Sequence, residues 1–63
     1  MVNTTKIRVC MAGFKHSQQD LADILNISKV SVNHKLNGKS SFTIDELNAL
    51  AKLYKKKLSF FLN

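Results

Sequence analysis

A chain of 63 residues holds one domain at most, and 44% apolar residues with two glycines and no proline suit a compact helical unit, not a β-sandwich or a disordered tail. A lone cysteine, the lack of any Cys/His cluster at metal-ligand spacing, and the lack of an apolar run near the roughly 20 residues that span a bilayer exclude a disulfide framework, a zinc site and a membrane span. Ten Lys+Arg against four Asp+Glu leave a net charge of +6, which points to a polyanionic partner.

The first predicted helix runs from about Thr5 to Phe14, because Ile7, Cys10, Met11 and Phe14 fall at i, i+3, i+4 and i+7 and so line one apolar stripe. Lys6 and Arg8 lie on its other face, and Cys10 is read as a core thiol. The loop that follows carries His16 at the surface. Ser17 and Asp20 then form a capping box that opens a second helix, Gln18 to Leu25, with Leu21, Ile24 and Leu25 at helical spacing. Asn26 suits the left-handed residue that ends it, since asparagine tolerates that conformation better than most residues.

Ser28 is a good N-cap, so a third helix can start at once. The alternation around Val30 and Val32 would also suit a strand, but no other segment shows period-2 alternation to pair with it. Read as a helix from Ser28 to Asn37, the stretch puts Val32 and Leu36 on one face and Val30, Ser31, Asn33, His34 and Asn37 mostly on the other. Gly38 ends it. The chain from Asn26 to Ile44 contains Lys29, Lys35 and Lys39 and no acid, leaving one surface free of negative charge. Thr43 and Glu46 cap a fourth helix, which Leu47, Leu50, Ala51, Leu53 and Tyr54 carry to about Lys55. Lys55, Lys56 and Lys57 suit a helix C-terminus, and Leu58 to Leu62 form one further helical turn.

The expected fold class is therefore all-α: four helices and a short fifth in a single domain over residues 1–63. Two short helices joined by a tight turn match a DNA-binding helix-turn-helix, whose second helix enters the major groove. The stretch "SQQDLADILNISKVSVNHKLNGK" resembles the helix-turn-helix of the lambdoid phage repressor and Cro (XRE-type) family. Ser17-Gln18, Leu21-Ala22, Leu25, Ile27-Ser28, Val32 and Gly38-Lys39 stand at that family's pattern positions. "FTIDELNALAKLYKKKLSFFL" is similar to its last two helices, so the resemblance covers nearly all the chain. Three departures stand out. Asn26 and Lys55 replace common glycines, the second implying a longer fourth helix, and apolar Met11 and Leu36 stand where the family often buries an Arg–Glu pair. Replacing such a pair by apolar residues is neutral or favourable for stability.

What the resemblance implies is a sequence-specific, double-stranded DNA-binding regulator of phage or prophage type, most simply a repressor acting in the bacterial cytoplasm on operator DNA. Lys29, Val30 and His34 align with base-reading positions, with Asn33 beside them. Lys29 would donate to guanine O6/N7, Val30 would touch a thymine methyl, Asn33 would pair with adenine, and His34 can donate or accept. Gln18 aligns with a residue that grips a phosphate at the start of the second helix, and Asn37, Gly38 and Lys39 match the loop that contacts the backbone on the other side. Ser17, Ser31 and Ser40 offer hydroxyls for the same task.

Phe60, Phe61 and Leu62 exceed what one helical turn needs to bury, so part of this patch is expected to pack against a second copy, placing two recognition helices roughly 34 Å apart. No catalytic constellation, cofactor loop or metal cluster is present in the sequence, and no enzyme activity or cofactor is expected. Two rival readings remain at this level: a protein-interaction module on the same fold, such as an antitoxin or antirepressor, and a membrane-active basic peptide.

Overall fold

The computed structural model describes residues 2–62 and contains four α-helices, α1 (Thr4–Gly13), α2 (Gln18–Leu25), α3 (Lys29–Leu36) and α4 (Ile44–Leu53), followed by a 3-10 segment, Leu58–Leu62. No strand occurs among the described residues. Each helix begins on a side-chain cap. Asn3 Oδ1 accepts from the Lys6 N–H at 3.1 Å, Ser17 and Thr43 complete reciprocal capping boxes with Asp20 and Glu46, and Ser28 Oγ accepts from the Ser31 N–H at 3.0 Å. Such caps satisfy N–H groups that have no partner inside the helix.

All four helices end in the same way, with one residue in the left-handed region: Lys15 (φ 58°), Asn26 (φ 57°), Gly38 (φ 78°) and Lys55 (φ 56°). In each case the N–H of that residue and the N–H after it fold back onto carbonyls of the last turn. At α3, Gly38 donates to Lys35 at 3.3 Å and Lys39 to His34 at 2.8 Å; at α4, Lys55 donates to Lys52 at 3.4 Å and Lys56 to Ala51 at 2.9 Å. This is the Schellman arrangement. It overturns the expectation that α4 continues to Lys55: the helix closes at Leu53 because Lys55 itself adopts the conformation a glycine would take.

One buried residue or more from every element meets in the core: Ile7, Leu21, Val32, Leu47, Leu50 and Phe61 are the largest fully buried side chains. Cys10 joins them as a free, buried thiol, and Met11 and Leu36 are likewise buried. Two expected core residues are not there. Phe14 is 50% exposed, because the chain has left the helix and reverses at Lys15; its ring instead stands edge-on to Tyr54 with centroids 4.9 Å apart. Ile24 is 42% exposed, because Ala22 is buried and turns the buried face of α2 towards Leu21 and Ala22. Within the 3-10 segment, Phe61 is wholly buried and its carbonyl accepts the Asn3 N–H at 2.7 Å, so the two ends of the chain are tied together. Phe61 is thus withdrawn from the patch expected to meet a second copy. Half-buried Phe60 packs edge-on against Phe61 and lies under the Lys6 and Lys56 ammonium groups, 4.7 and 5.0 Å from its ring centroid.

Candidate nucleic-acid interface

The α2–α3 corner is built by three consecutive residues with separate tasks. Asn26 takes the left-handed conformation, half-buried Ile27 anchors the turn, and Ser28 caps α3. The corner holds α3 against the core through Val32 and Leu36, which are buried at i and i+4 on the inner face. Helical geometry then decides which residues face outwards. Lys29, Val30 and His34 are exposed, Val30 with 64% of its surface open to solvent, much as Val9 on α1 has 65%. Asn33 is half-buried on the same side.

Asn33 is also tethered. Its Nδ2 donates to Gln18 Oε1 at 3.3 Å, and its Oδ1 accepts from Asn37 Nδ2 at 3.2 Å. A side-chain amide has two N–H groups and two acceptor lone pairs, so one of each is left over, and those are what a bidentate contact to adenine uses. Asn37 in turn accepts at its Oδ1 from Arg8 Nη2 at 3.0 Å, and the same guanidinium nitrogen donates to the Leu36 carbonyl at 3.4 Å. A line of polar side chains therefore crosses the surface from α2 through α3 to α1. Sequence reading missed Arg8 because its partners lie 28 and 29 residues away, and no local pattern links them.

The residues expected at phosphates fall in two groups. Ser17 and Gln18 stand at the start of α2, and the Ser17 hydroxyl serves the cap by accepting from the Asp20 N–H at 3.1 Å. Asn37, Lys39 and Ser40 are exposed around the Gly38 turn that follows α3. Ser31 belongs to neither group: it is half-buried in the first turn of α3, where its Oγ accepts from the Ser28 hydroxyl at 3.0 Å. The structure thus brings Lys29, Val30, Asn33 and His34 to the outer side of α3, with Gln18 beside Asn33 and with Asn37, Lys39 and Ser40 around the turn that closes the helix.

The electrostatics differ from a wholly acid-free surface in one respect. Glu46 reaches across from α4, and Lys35 Nζ lies 2.6 and 2.8 Å from its two carboxylate oxygens, so Lys35 is spent on an internal ion pair. Partial burial raises the Glu46 pKa, but the Lys35 hydrogen bond and charge and the Thr43 N–H outweigh it, leaving the carboxyl below its usual range. Lys29, Lys39 and Arg8 have no carboxylate partner among the described residues. Close to the start of α2, His16 is not the free loop residue expected but half-buried, its Nδ1 sharing a 2.9 Å hydrogen bond with the Tyr54 hydroxyl. Burial pushes the Tyr54 pKa up to about 12. His16 thereby fixes the loop that presents Ser17 and Gln18.

Among the described residues no helix is long and apolar enough to cross a membrane. A family model described as helix-turn-helix matches residues 7–61, taking in α2 to α4, most of α1 and most of the 3-10 segment. No curated protein and no solved structure matches the chain.

Proposed function

We propose that this chain, which belongs to the XRE-type helix-turn-helix family of lambda repressor and Cro and so is a DNA-binding transcription-regulator domain, is a phage or prophage repressor working in the bacterial cytoplasm. In this reading it occupies operator DNA with α3 in the major groove and has no catalytic role. The observation that carries the reading is the outer face of α3: a valine left largely in solvent beside an unpaired lysine and an exposed histidine, on a helix whose inner face is fully buried. A thymine methyl in the major groove would cover Val30.

Lys29 donates to guanine, Val30 meets thymine, Asn33 uses its spare N–H and lone pair on adenine, and His34 reads a neighbouring base edge. Ser17 and Gln18 hold the phosphate backbone at the start of α2; Asn37, Lys39 and Ser40 hold it at the turn after α3, and the Ser31 hydroxyl adds a contact at the first turn of α3. A palindromic operator takes two copies. With Phe61 in the core, exposed Leu62 and half-buried Phe60 remain at the 3-10 segment for a homodimer contact.

The test is selection from a pool of random duplexes, followed by sequencing of what is retained. Enrichment of one motif, with the best match bound at least about a thousandfold more tightly than random duplex at the same salt, is expected. Retention without enrichment would overturn sequence-specific reading, and tight capture of a protein in its place would favour an interaction module.

A further inference from the structure

We propose that Arg8, on the first helix and outside the helix-turn-helix, is a phosphate-binding residue of the DNA interface. The inference rests on the DNA-binding reading above and extends its contact surface to α1. Arg8 lies exposed at the end of α3, where one guanidinium nitrogen, Nη2, is shared between the Leu36 carbonyl and Asn37 Oδ1. Those two acceptors fix where the planar group sits. They leave Nη1 and Nε with donors to spare, since a guanidinium carries five N–H bonds. No carboxylate balances its charge among the described residues.

The position matters as much as the charge. Asn37 is one of the residues placed at the backbone-contacting turn, with exposed Lys39 two positions on, past the left-handed Gly38. A phosphate received by Asn37 and Lys39 would lie within reach of the free edge of Arg8, and a planar fork of donors matches two phosphate oxygens at once. Holding the Leu36 carbonyl and the Asn37 amide needs only a neutral donor. A cation there suits the C-terminal end of α3, and the N–H groups it leaves unused, on Nη1 and Nε, are what an anion would take. The hydrogen bonds from Arg8 through Asn37 and Asn33 to Gln18 would then join the two groups of phosphate-binding residues through the proposed adenine reader.

The measurement is the salt dependence of duplex binding by the full chain carrying Arg8→Gln and Arg8→Lys, with thermal unfolding recorded to show that each folds. Each phosphate neutralised contributes about −0.9 to the slope of log K against log salt. Arg8→Gln, which keeps a neutral donor for Asn37, is expected to flatten the slope by about 0.9, so that its affinity deficit shrinks about threefold between 50 and 200 mM salt. Arg8→Lys is expected to keep the wild-type slope. A wild-type slope for Arg8→Gln, at whatever affinity, would reduce Arg8 to a cap on α3 and overturn the proposal while leaving the DNA reading intact. Wild-type protein that binds duplex with no salt dependence would overturn both.

Discussion

Replacing Phe61 by alanine distinguishes a core residue from a dimer contact. Phe61 is 0% exposed, and a fully buried Phe→Ala change costs about 3–5 kcal/mol through lost burial and the cavity left behind. Against that stands a total stability of about 3–9 kcal/mol for 63 residues at about 0.05–0.15 kcal/mol per residue. The variant should therefore lose about a third or more of its stability. At about 4 °C or more per kcal/mol for a domain this small, its melting midpoint, followed by far-ultraviolet circular dichroism, should fall by at least about 12 °C. It should do so at every protein concentration. Leu62→Ala, at an exposed neighbour, should cost less than about 1 kcal/mol. A midpoint for Phe61→Ala within a few degrees of wild type, together with a concentration-dependent loss of sedimenting mass, would place Phe61 at an interface and refute the packing described above.

Three further expectations follow from individual contacts. Because the folded-state pKa of Glu46 is depressed, its contribution is present above the ordinary carboxyl range and lost as pH falls through the folded value. Melting midpoints should therefore drop below about pH 4.5, and Glu46→Gln should lower the neutral-pH midpoint while flattening that drop; an equally steep drop in the variant would show the ion pair to be inert. Tyr54 is the only tyrosine and the chain has no tryptophan, so tyrosinate absorbance near 295 nm reports it alone. With its pKa raised by burial to about 12, stability should be intact below pH 10 and lost as pH rises from about 10 to 12, and a midpoint near 10 in folded protein would contradict the burial. Lys55→Gly should stabilise by up to about 1 kcal/mol by relieving the left-handed backbone, whereas Gly38→Ala should destabilise by a similar amount. Denaturant midpoints moving in the same direction for both would deny that the two turns share one conformation.

The starts of helices could be read from the sequence because a cap is a local event. Ser17 with Asp20, Ser28, and Thr43 with Glu46 each act within three residues, and all were placed correctly. The ends were half legible. Asn26 and Gly38 announce a left-handed turn by their chemistry, but lysines at 15 and 55 do not, although the same backbone hydrogen bonds close their turns. Periodicity located the core of α1, α3 and α4 and misjudged Phe14 and Ile24, whose positions depend on how the chain turns beyond the helix.

The candidate interface divides in the same manner. That Lys29, Val30, Asn33 and His34 stand clear of the buried face follows from 3.6 residues per turn and is visible in the sequence. The Lys35–Glu46 pair, the His16–Tyr54 hydrogen bond and the reach of Arg8 to Asn37 join residues 11, 38 and 29 positions apart, and nothing in the local pattern announces them. They matter because they decide which side chains are free: Lys35 is withdrawn from any partner, and Arg8 is added.

In the proposed complex α3 reads bases while Ser17 and Gln18 on one side, and Asn37, Lys39 and Ser40 after the helix, grip phosphates. The most direct test of that arrangement compares Asn33→Ala and Lys39→Ala on the selected duplex and on every single-base-pair variant of it. Asn33→Ala should cost about 1–3 kcal/mol on the selected duplex and relax preference at one base pair, while Lys39→Ala should weaken all duplexes alike and flatten the salt slope by about 1. A uniform loss for Asn33→Ala, with every base preference retained, would contradict reading by α3.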